Sequence, residues 1–469
     1  MLELIIIGAY FFVVIAIGLI SRRKAQGLDN FFVAGRKGST LFITGSLLAT
    51  IIGGSATVGM AGLGFRQGLT GAWWLLVGSI GLIVLGFFFA EKVRKFGLYT
   101  LPELVEKQYD GRIALAASIL IVISWTGIVA GQIIAAGTIM SVLGMGNQVL
   151  WMALFTTVFV AYTVLGGQYA VIRTDTLQSG IILVGIFGAL ALVLSRLGGL
   201  SGLQDSLPPE RFGFPTSSQF GGLDLIKLLL LVGLAYVVGP DMYSRLFCAR
   251  DEKTAKTAVF WTALIIIPLA FGITLIGMGA SALFPYISST EQAFPLVIKE
   301  VLPPFMGSIV LAALLCAVMS SADTTLLSAG TILTVDIIKR FKHSLNQEKT
   351  LSLSRWSIVA LGILSLILAL ILKGVINALL FAYTIYTAGL ILPVIAGFYR
   401  NRLRVTPMGA MAAIIGGGTA ALISKVLYIK YLDLGALLIS VLLLFTVSFI
   451  ENRLRIGRES KRIEGKGIS

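Results

Sequence analysis

Apolar stretches of about 18 to 30 residues recur from end to end of the chain, cut apart by short segments rich in Arg, Lys, Gly and Pro. None alternates with the period of two that a barrel strand needs. Hydrocarbon leaves no partner for a free backbone group, so the pattern predicts membrane-spanning helices. Thirteen are expected, near 2–21, 40–65, 70–90, 112–142, 148–166, 170–196, 223–247, 256–284, 304–338, 352–372, 374–400, 407–426 and 434–451. The first run lacks the basic leader and small-residue cleavage site of a signal peptide and reads as a retained span. The expected class is an all-α polytopic membrane protein.

Two spans carry glycine and polar residues at mid-membrane depth. One is Ala49-Thr-Ile-Ile-Gly-Gly-Ser-Ala-Thr-Val-Gly59, centred on Gly53 and Gly54. The other is Gly233-Leu-Ala-Tyr-Val-Val-Gly-Pro-Asp241, where Pro240 removes a backbone donor and Gly239 loosens the turn. Taken singly, such a stretch is ordinary close packing between membrane helices. As the second and seventh spans they stand five apart, the spacing of a 5+5 inverted repeat whose halves each begin with an interrupted helix. Unwound backbone at that depth is tolerated where it lines a cavity, and there it offers carbonyl oxygens and helix ends to an ion and a solute. The expected organisation is an N-terminal extra helix and loop (1–39), a first repeat of core helices 1–5 (40–196) and an outer loop (197–222). A second repeat of core helices 6–10 (223–400), two C-terminal spans (401–451) and a basic tail (452–469) complete it.

Composition supports the membrane reading: 57% of the 469 residues are apolar and 13% are charged. The net charge of +15 invites a nucleic-acid partner until the cations are placed. With the N-terminus outside, 29 of the 37 Lys and Arg, Arg245 among them, fall on the cytoplasmic side and 8 on the other. That asymmetry is the positive-inside signal of a multi-pass protein of the cell membrane with its C-terminus in the cytoplasm. No nucleic acid is needed to explain the charge. Cys248 and Cys316 imply no disulfide framework, and the single histidine, His343, reads as a solvated loop residue, so no transition-metal site is expected.

The ninth span holds the densest polar chemistry, Ala317-Val-Met-Ser-Ser-Ala-Asp-Thr-Thr325. Ala317, Ser320, Ser321 and Thr324 fall at i, i+3, i+4 and i+7, on one helix face. Hydroxyls in such a helix commonly bond back to the i−4 carbonyl or join helices. Three on one stripe beside Asp323 suit a hard cation such as sodium, which takes oxygen ligands. Asp175, Asp241 and Asp323 are carboxylates at or inside the hydrocarbon boundary, each a functional-site candidate. Asp175 and Asp241 lie near helix ends, where snorkelling or capping accounts for them equally well.

Four pieces, in this order and spacing, resemble the sodium/solute symporter family over residues 1–450. They are Phe32-Val-Ala-Gly-Arg36, Tyr99-Thr-Leu-Pro-Glu-Leu-Val-Glu-Lys107, Gly166-Gly-Gln-Tyr-Ala-Val-Ile-Arg-Thr-Asp-Thr-Leu-Gln178, and Ala317–Lys339 ending Thr334-Val-Asp-Ile-Ile-Lys339. Members of that family carry proline, glucose, choline, pantothenate, sialic acid or iodide. The resemblance implies a core like that of the bacterial leucine transporter. It also implies a sodium site made of the carbonyls of Ala49, Ile52 and Ala317 and the hydroxyls of Ser320 and Ser321. A further cation site, at Asp175, Ser320, Asp323 and Thr324, matches some members. Asp323 departs from the proline and sugar branches, and the Met-Ser-Ser-Ala-Asp run is similar to choline transporters. Ile51 and Ala56 stand where those branches use an acid or polar groups, which points to a smaller or partly apolar solute.

Candidate pocket residues are Gly53, Ser55, Trp73, Trp125, Gln132, Tyr236 and Tyr383. The function so implied is sodium:solute symport of a small organic solute (an amino acid such as proline, a choline-like amine or a carboxylate) by alternating access. A proton-coupled transporter of the same fold is the alternative, and a solute-sensing membrane protein is a lesser one. No enzyme activity and no resident cofactor are expected; the partners are sodium, the solute and the lipid bilayer, with oligomeric state left open.

Overall fold

The computed structural model describes residues 2–464 apart from 23, 26, 343–344, 373 and 428–431. His343 therefore lies outside the described residues, as do Arg23, Lys373, Lys430 and Lys466 of the counted cations. Among the described residues, eleven helices are long and apolar enough to cross a membrane. The difference from thirteen has two local causes. Thr40–Ile51 is a helix of 12 residues, about 18 Å long and too short to cross about 30 Å of hydrocarbon. The chain resumes as a π-turn over Ser55–Gly59 and a helix over Met60–Gln67, then runs through a 3-10 turn into Trp73–Phe88. Further on, spans 148–166 and 170–196 follow one another within Gln148–Leu197 with no loop between them, set apart only by a kink. Gly167 within it has φ 52° and ψ −158°, backbone that an L residue resists. A Cβ there would also strike the Phe31 ring at 2.6 Å.

Helix starts follow local capping. Asp110, Asn147, Asp251 and Asn346 each accept a backbone N–H of the first turn that follows them, an interaction of about 1 kcal/mol each. These caps place Gly111–Val142, Gln148–Leu197, Glu252–Leu283 and Gln347–Ile371.

Burial separates a core from a periphery. The most hydrophobic window of Pro304–Phe341 is 78% buried, and those of Gly111–Val142 and Val375–Phe398 are each 72% buried. The window of the first helix is only 22% buried, and its Phe12 and Ile20 face outward. Pro407–Leu427 and Leu432–Glu464 pack mainly on each other at another edge. The broken segments lie within the core, with Thr40–Ile51 against Gln148–Leu197, Glu252–Leu283 and Pro304–Ile332.

Candidate functional site

At the first break the helical ladder stops at Ile52, whose φ and ψ are −86° and 72°. The Ala49 carbonyl is there met by hydroxyls instead: Ser320 Oγ donates at 2.8 Å, and Ser321 Oγ lies 3.3 Å away while donating to the Thr50 carbonyl at 2.7 Å. Ser320 Oγ also lies 2.8 Å from the Cys316 carbonyl and 3.1 Å from that of Ala317. Back-bonding within the helix and contact across to the broken segment therefore coexist in one hydroxyl. Thr50 and Thr324 hydroxyls pair at 3.3 Å further along the same face. The structure thus gathers Ala49, Ala317, Ser320 and Ser321 around one point and sets Ile52 at the adjoining break. Every atom in this cluster is a neutral oxygen, a donor set suited to a hard monovalent cation.

Glycine at 53 and 54 is required by the same closeness. A Cβ on Gly53 would meet Ser321 Oγ at 2.5 Å and Gln132 Oε1 at 2.7 Å, and one on Gly54 would meet Ala135 Cβ at 2.3 Å. The Gln132 amide oxygen accepts the Gly54 N–H at 2.7 Å, fixing the unwound chain to Gly111–Val142.

The second break lies between the short helix Leu234–Val237 and Pro240–Cys248, with Val238 and Gly239 extended. The Tyr386 hydroxyl donates to the freed Val238 carbonyl, and Thr387 Oγ1 donates to the Leu231 carbonyl at 2.7 Å. Both breaks border a central cavity of about 20 Å³, lined by Gly53, Ser55, Trp125, Gln132, Tyr236 and Tyr383 together with Ile51, Asp241 and Ser321. That is room for one water. A second cavity, of about 690 Å³, opens toward Arg66, Glu291 and Asn377 at the end away from the basic loops.

Six of the seven candidate pocket residues meet there, and Trp73 does not. Its indole N–H donates to the Pro215 carbonyl at 2.8 Å, and its ring stacks on Phe214 at 5.1 Å, so it pins the 207–220 loop. Asp241 joins the cavity instead, and the Trp125 indole nitrogen is buried there without a partner among the described residues.

Asp175 is fully buried and held by Arg245, whose Nη2 lies 3.1 Å from Asp175 Oδ2. Ser46 Oγ donates to the same oxygen at 2.5 Å. Arg245, counted above with the basic loops, has a side chain with no exposed surface. Its five N–H groups find Ser46, Gln168, Ser244, Asp175 and Thr324. The charge asymmetry survives its removal from the count. The signal for it was present, since residue 245 falls inside the expected span 223–247. Of the further cation set, Asp175 and Thr324 share this guanidinium. Thr324 Oγ1 lies 3.3 Å from Asp323 Oδ1, and Ser320 faces Ala49 instead. Asp323 is 1% exposed, and its Oδ2 has no partner among the described residues.

Three of the motif pieces converge at the basic end. Arg36 donates to the Gly97 carbonyl at 2.9 Å and lies over the Tyr99 ring at 5.3 Å. Thr100 Oγ1 donates to Asp336 Oδ1 at 3.1 Å. Burial pushes the Glu103 carboxyl above its ordinary range, against the N–H groups that favour its charged form.

A helical membrane protein with two helices unwound around a buried, oxygen-lined cluster has the build of a secondary transporter. The chain belongs to the sodium:solute symporter family, whose description matches residues 31–417. It is 26% identical to the sodium/glucose cotransporter of Vibrio parahaemolyticus, over 92% of this chain and 86% of that one. It is also 26% identical to the sodium/pantothenate symporter of Escherichia coli K12, over 95% of each. Among solved structures, it shares the fold of a Na+-coupled sialic acid symporter in a substrate-bound outward-open state, with a TM-score of 0.83 at 17% identity, covering 96% of this chain and 98% of that one.

Proposed function

We propose that this chain imports a small organic amine together with sodium by alternating access, with sodium held by the Ala49, Ile52 and Ala317 carbonyls and the Ser320 and Ser321 hydroxyls. The observation that carries the reading is the pair of serine hydroxyls turned onto the freed, buried Ala49 carbonyl. Sodium there bridges the first broken helix to Pro304–Ile332 and favours the state open to the outside, so solute binds more tightly once sodium is in place. For the solute, a carboxylate at Asp241 beside Trp125, Tyr236 and Tyr383 supports recognition of an ammonium group. The unpartnered Trp125 N–H suits an acceptor oxygen on the same molecule, such as a carboxylate or hydroxyl. Ile51 in the wall offers no partner to a sugar hydroxyl.

Counting 40–67 and 73–88 as separate crossings, and dividing 148–197 at Gly167, gives thirteen spans. The two breaks then open the halves of a 5+5 core of the bacterial leucine transporter type. The basic loops assign the N-terminus outside and the C-terminus to the cytoplasm of a cell membrane.

Sodium-driven uptake into proteoliposomes tests the site. Ser320→Ala with Ser321→Ala is expected to abolish the sodium dependence while the protein remains folded in the membrane; an unchanged dependence overturns the assignment. A thermal-shift screen of amines, amino acids, carboxylates and sugars in sodium identifies the solute. A second monovalent cation, sodium or proton, is supported by the unpartnered Asp323 oxygen. Uptake with and without sodium at fixed pH, in wild type and Asp323→Asn, tells the two ions apart.

A further inference from the structure

At the basic end of the molecule, remote from the central cavity, a cleft of about 880 Å³ opens between Ala90–Lys95 and Arg400–Leu403. Its walls bring together Lys92, Lys95, Lys107, Arg400 and Arg402 from three separate stretches of sequence, and no Asp or Glu lines it. The salt bridges among the described residues use none of the five. Elsewhere at the same end cations do find acids: Lys256 meets Glu91 at 2.9 Å, and Arg340 pairs with Glu106. Within the cleft their ring and hydrogen-bond contacts are to neutral groups. Lys92 Nζ lies 4.7 Å above the Tyr399 ring and 3.4 Å from its hydroxyl. Lys107 Nζ lies 5.7 Å from the Phe96 ring, and Arg400 donates to the Gln108 carbonyl at 2.8 Å.

Loop topology accounts for positive charge on this side of the membrane. It does not account for five like charges converging on one concave surface with no acid in its lining, where Glu103 beside Lys107 offsets only one of them, an arrangement that is unfavourable until an anion arrives. The position of the cleft indicates which anion. Phe87 and Phe88, 66% and 55% exposed, end the apolar Trp73–Phe88 helix one turn before Lys92. Phe96, on the cleft wall, is 37% exposed. Exposed aromatics followed by a basic turn mark the level where hydrocarbon gives way to headgroups.

We propose that this cleft binds the phosphate headgroup of an acidic phospholipid, with Lys95, Lys107 and Arg402 holding the phosphate and Phe96 and Phe398 meeting the start of the acyl chains. Clustered Lys and Arg at the end of a membrane helix recognise anionic headgroups by this chemistry. The proposal needs only that the cleft open at a bilayer surface, so it stands apart from the sodium and solute assignments.

The test is lipid retention by the full-length, delipidated protein, read by native mass spectrometry after exposure to equal phosphatidylglycerol and phosphatidylcholine. Wild type is expected to retain phosphatidylglycerol about tenfold over phosphatidylcholine. Lys95→Gln, Lys107→Gln and Arg402→Gln together remove that preference. A control with equal loss of charge, Lys24→Gln, Lys253→Gln and Lys349→Gln, keeps it within about twofold. Equal retention of the two lipids by wild type overturns the proposal, as does an equal fall in the cleft and control variants, which would make the effect one of bulk charge. Millimolar inorganic phosphate that displaces the lipid completely would make this a free-anion site and overturn the lipid assignment. Should the triple variant fail to remain monodisperse, Lys95→Gln alone carries the comparison. Uptake plays no part in the measurement, so its failure leaves the transport reading standing.

Discussion

The two broken helices meet the same backbone problem with different chemistry. At the first, the freed carbonyls of Ala49 and Thr50 face Ser320 and Ser321, and the amide of Gly54 faces Gln132, so every partner is neutral. At the second, Tyr386 covers the Val238 carbonyl, and within two turns the chain adds a carboxyl group and a guanidinium, Asp241 and Arg245. Neutral oxygens attract a cation by its charge alone and relax into their own hydrogen bonds when it leaves. A guanidinium with an acceptor for each N–H, paired to a buried carboxylate, stays where it is. The first break therefore suits an exchangeable ion, whereas the second carries a permanent one.

The largest effect is expected at the permanent pair. Arg245→Met leaves Asp175 as an uncompensated buried charge, a change of about 3–5 kcal/mol. Thermal melting and monodispersity in detergent should show most of the protein lost. Adding Asp175→Asn should restore most of it, because an apolar and neutral pair of similar size removes the stranded charge. An Arg245→Met protein that melts like wild type would mean that Asp175 does not depend on the guanidinium, and the contrast between the breaks would fail.

Next in size is the exchangeable site. A ligand that binds only the folded state raises the melting temperature by mass action, so sodium should stabilise wild type. The Ser320→Ala, Ser321→Ala protein should lose this shift, whereas Arg245→Lys, though less stable at the outset, should keep it. A shift surviving in the double serine variant would move the sodium elsewhere. Asp241→Asn sharpens the comparison from the solute side. It is expected to weaken the solute by about tenfold or more while leaving the sodium shift intact, the loss of one charged partner being about 1.5–3 kcal/mol.

Much of this was legible in the chain because membrane helices advertise themselves by length and breaks by composition. Ala49–Gly59 and Gly233–Asp241 do unwind at their glycines and proline, and the Ala317–Thr324 stripe does face the first of them. Less legible was whatever depends on which helix lies opposite. Arg245 resembles a loop cation when residues are counted near a span end; its place inside span 223–247 marked it as buried, but its partner Asp175 is given only by the ion pair across to Gln148–Leu197. Asp241 stood out as a buried acid, but its place in the cavity wall follows from how the second break is aimed. The division between spans 148–166 and 170–196 was legible at Gly166-Gly167, although the structure confines it to the single non-helical residue Gly167, with no polar loop between the two apolar runs.

The smallest expected effect belongs to Trp73, just beyond the first broken helix. Aromatics in membrane proteins sit at pockets and at water interfaces alike, so sequence alone could not separate it from Trp125. Trp125 is 1% exposed and lines the cavity, whereas Trp73 gives its N–H to the Pro215 carbonyl. Trp73→Phe keeps the stacking on Phe214 and removes that hydrogen bond, a change of about 1 kcal/mol. It should lower the melting temperature slightly and leave the solute concentration for half-maximal uptake within about twofold. Trp125→Phe, which removes the unpartnered donor of a cavity-lining residue, should raise that concentration by about tenfold. If the two substitutions change uptake equally, the 207–220 loop pinned by Trp73 moves with the central cavity, and the rim of the first break belongs to the binding site after all.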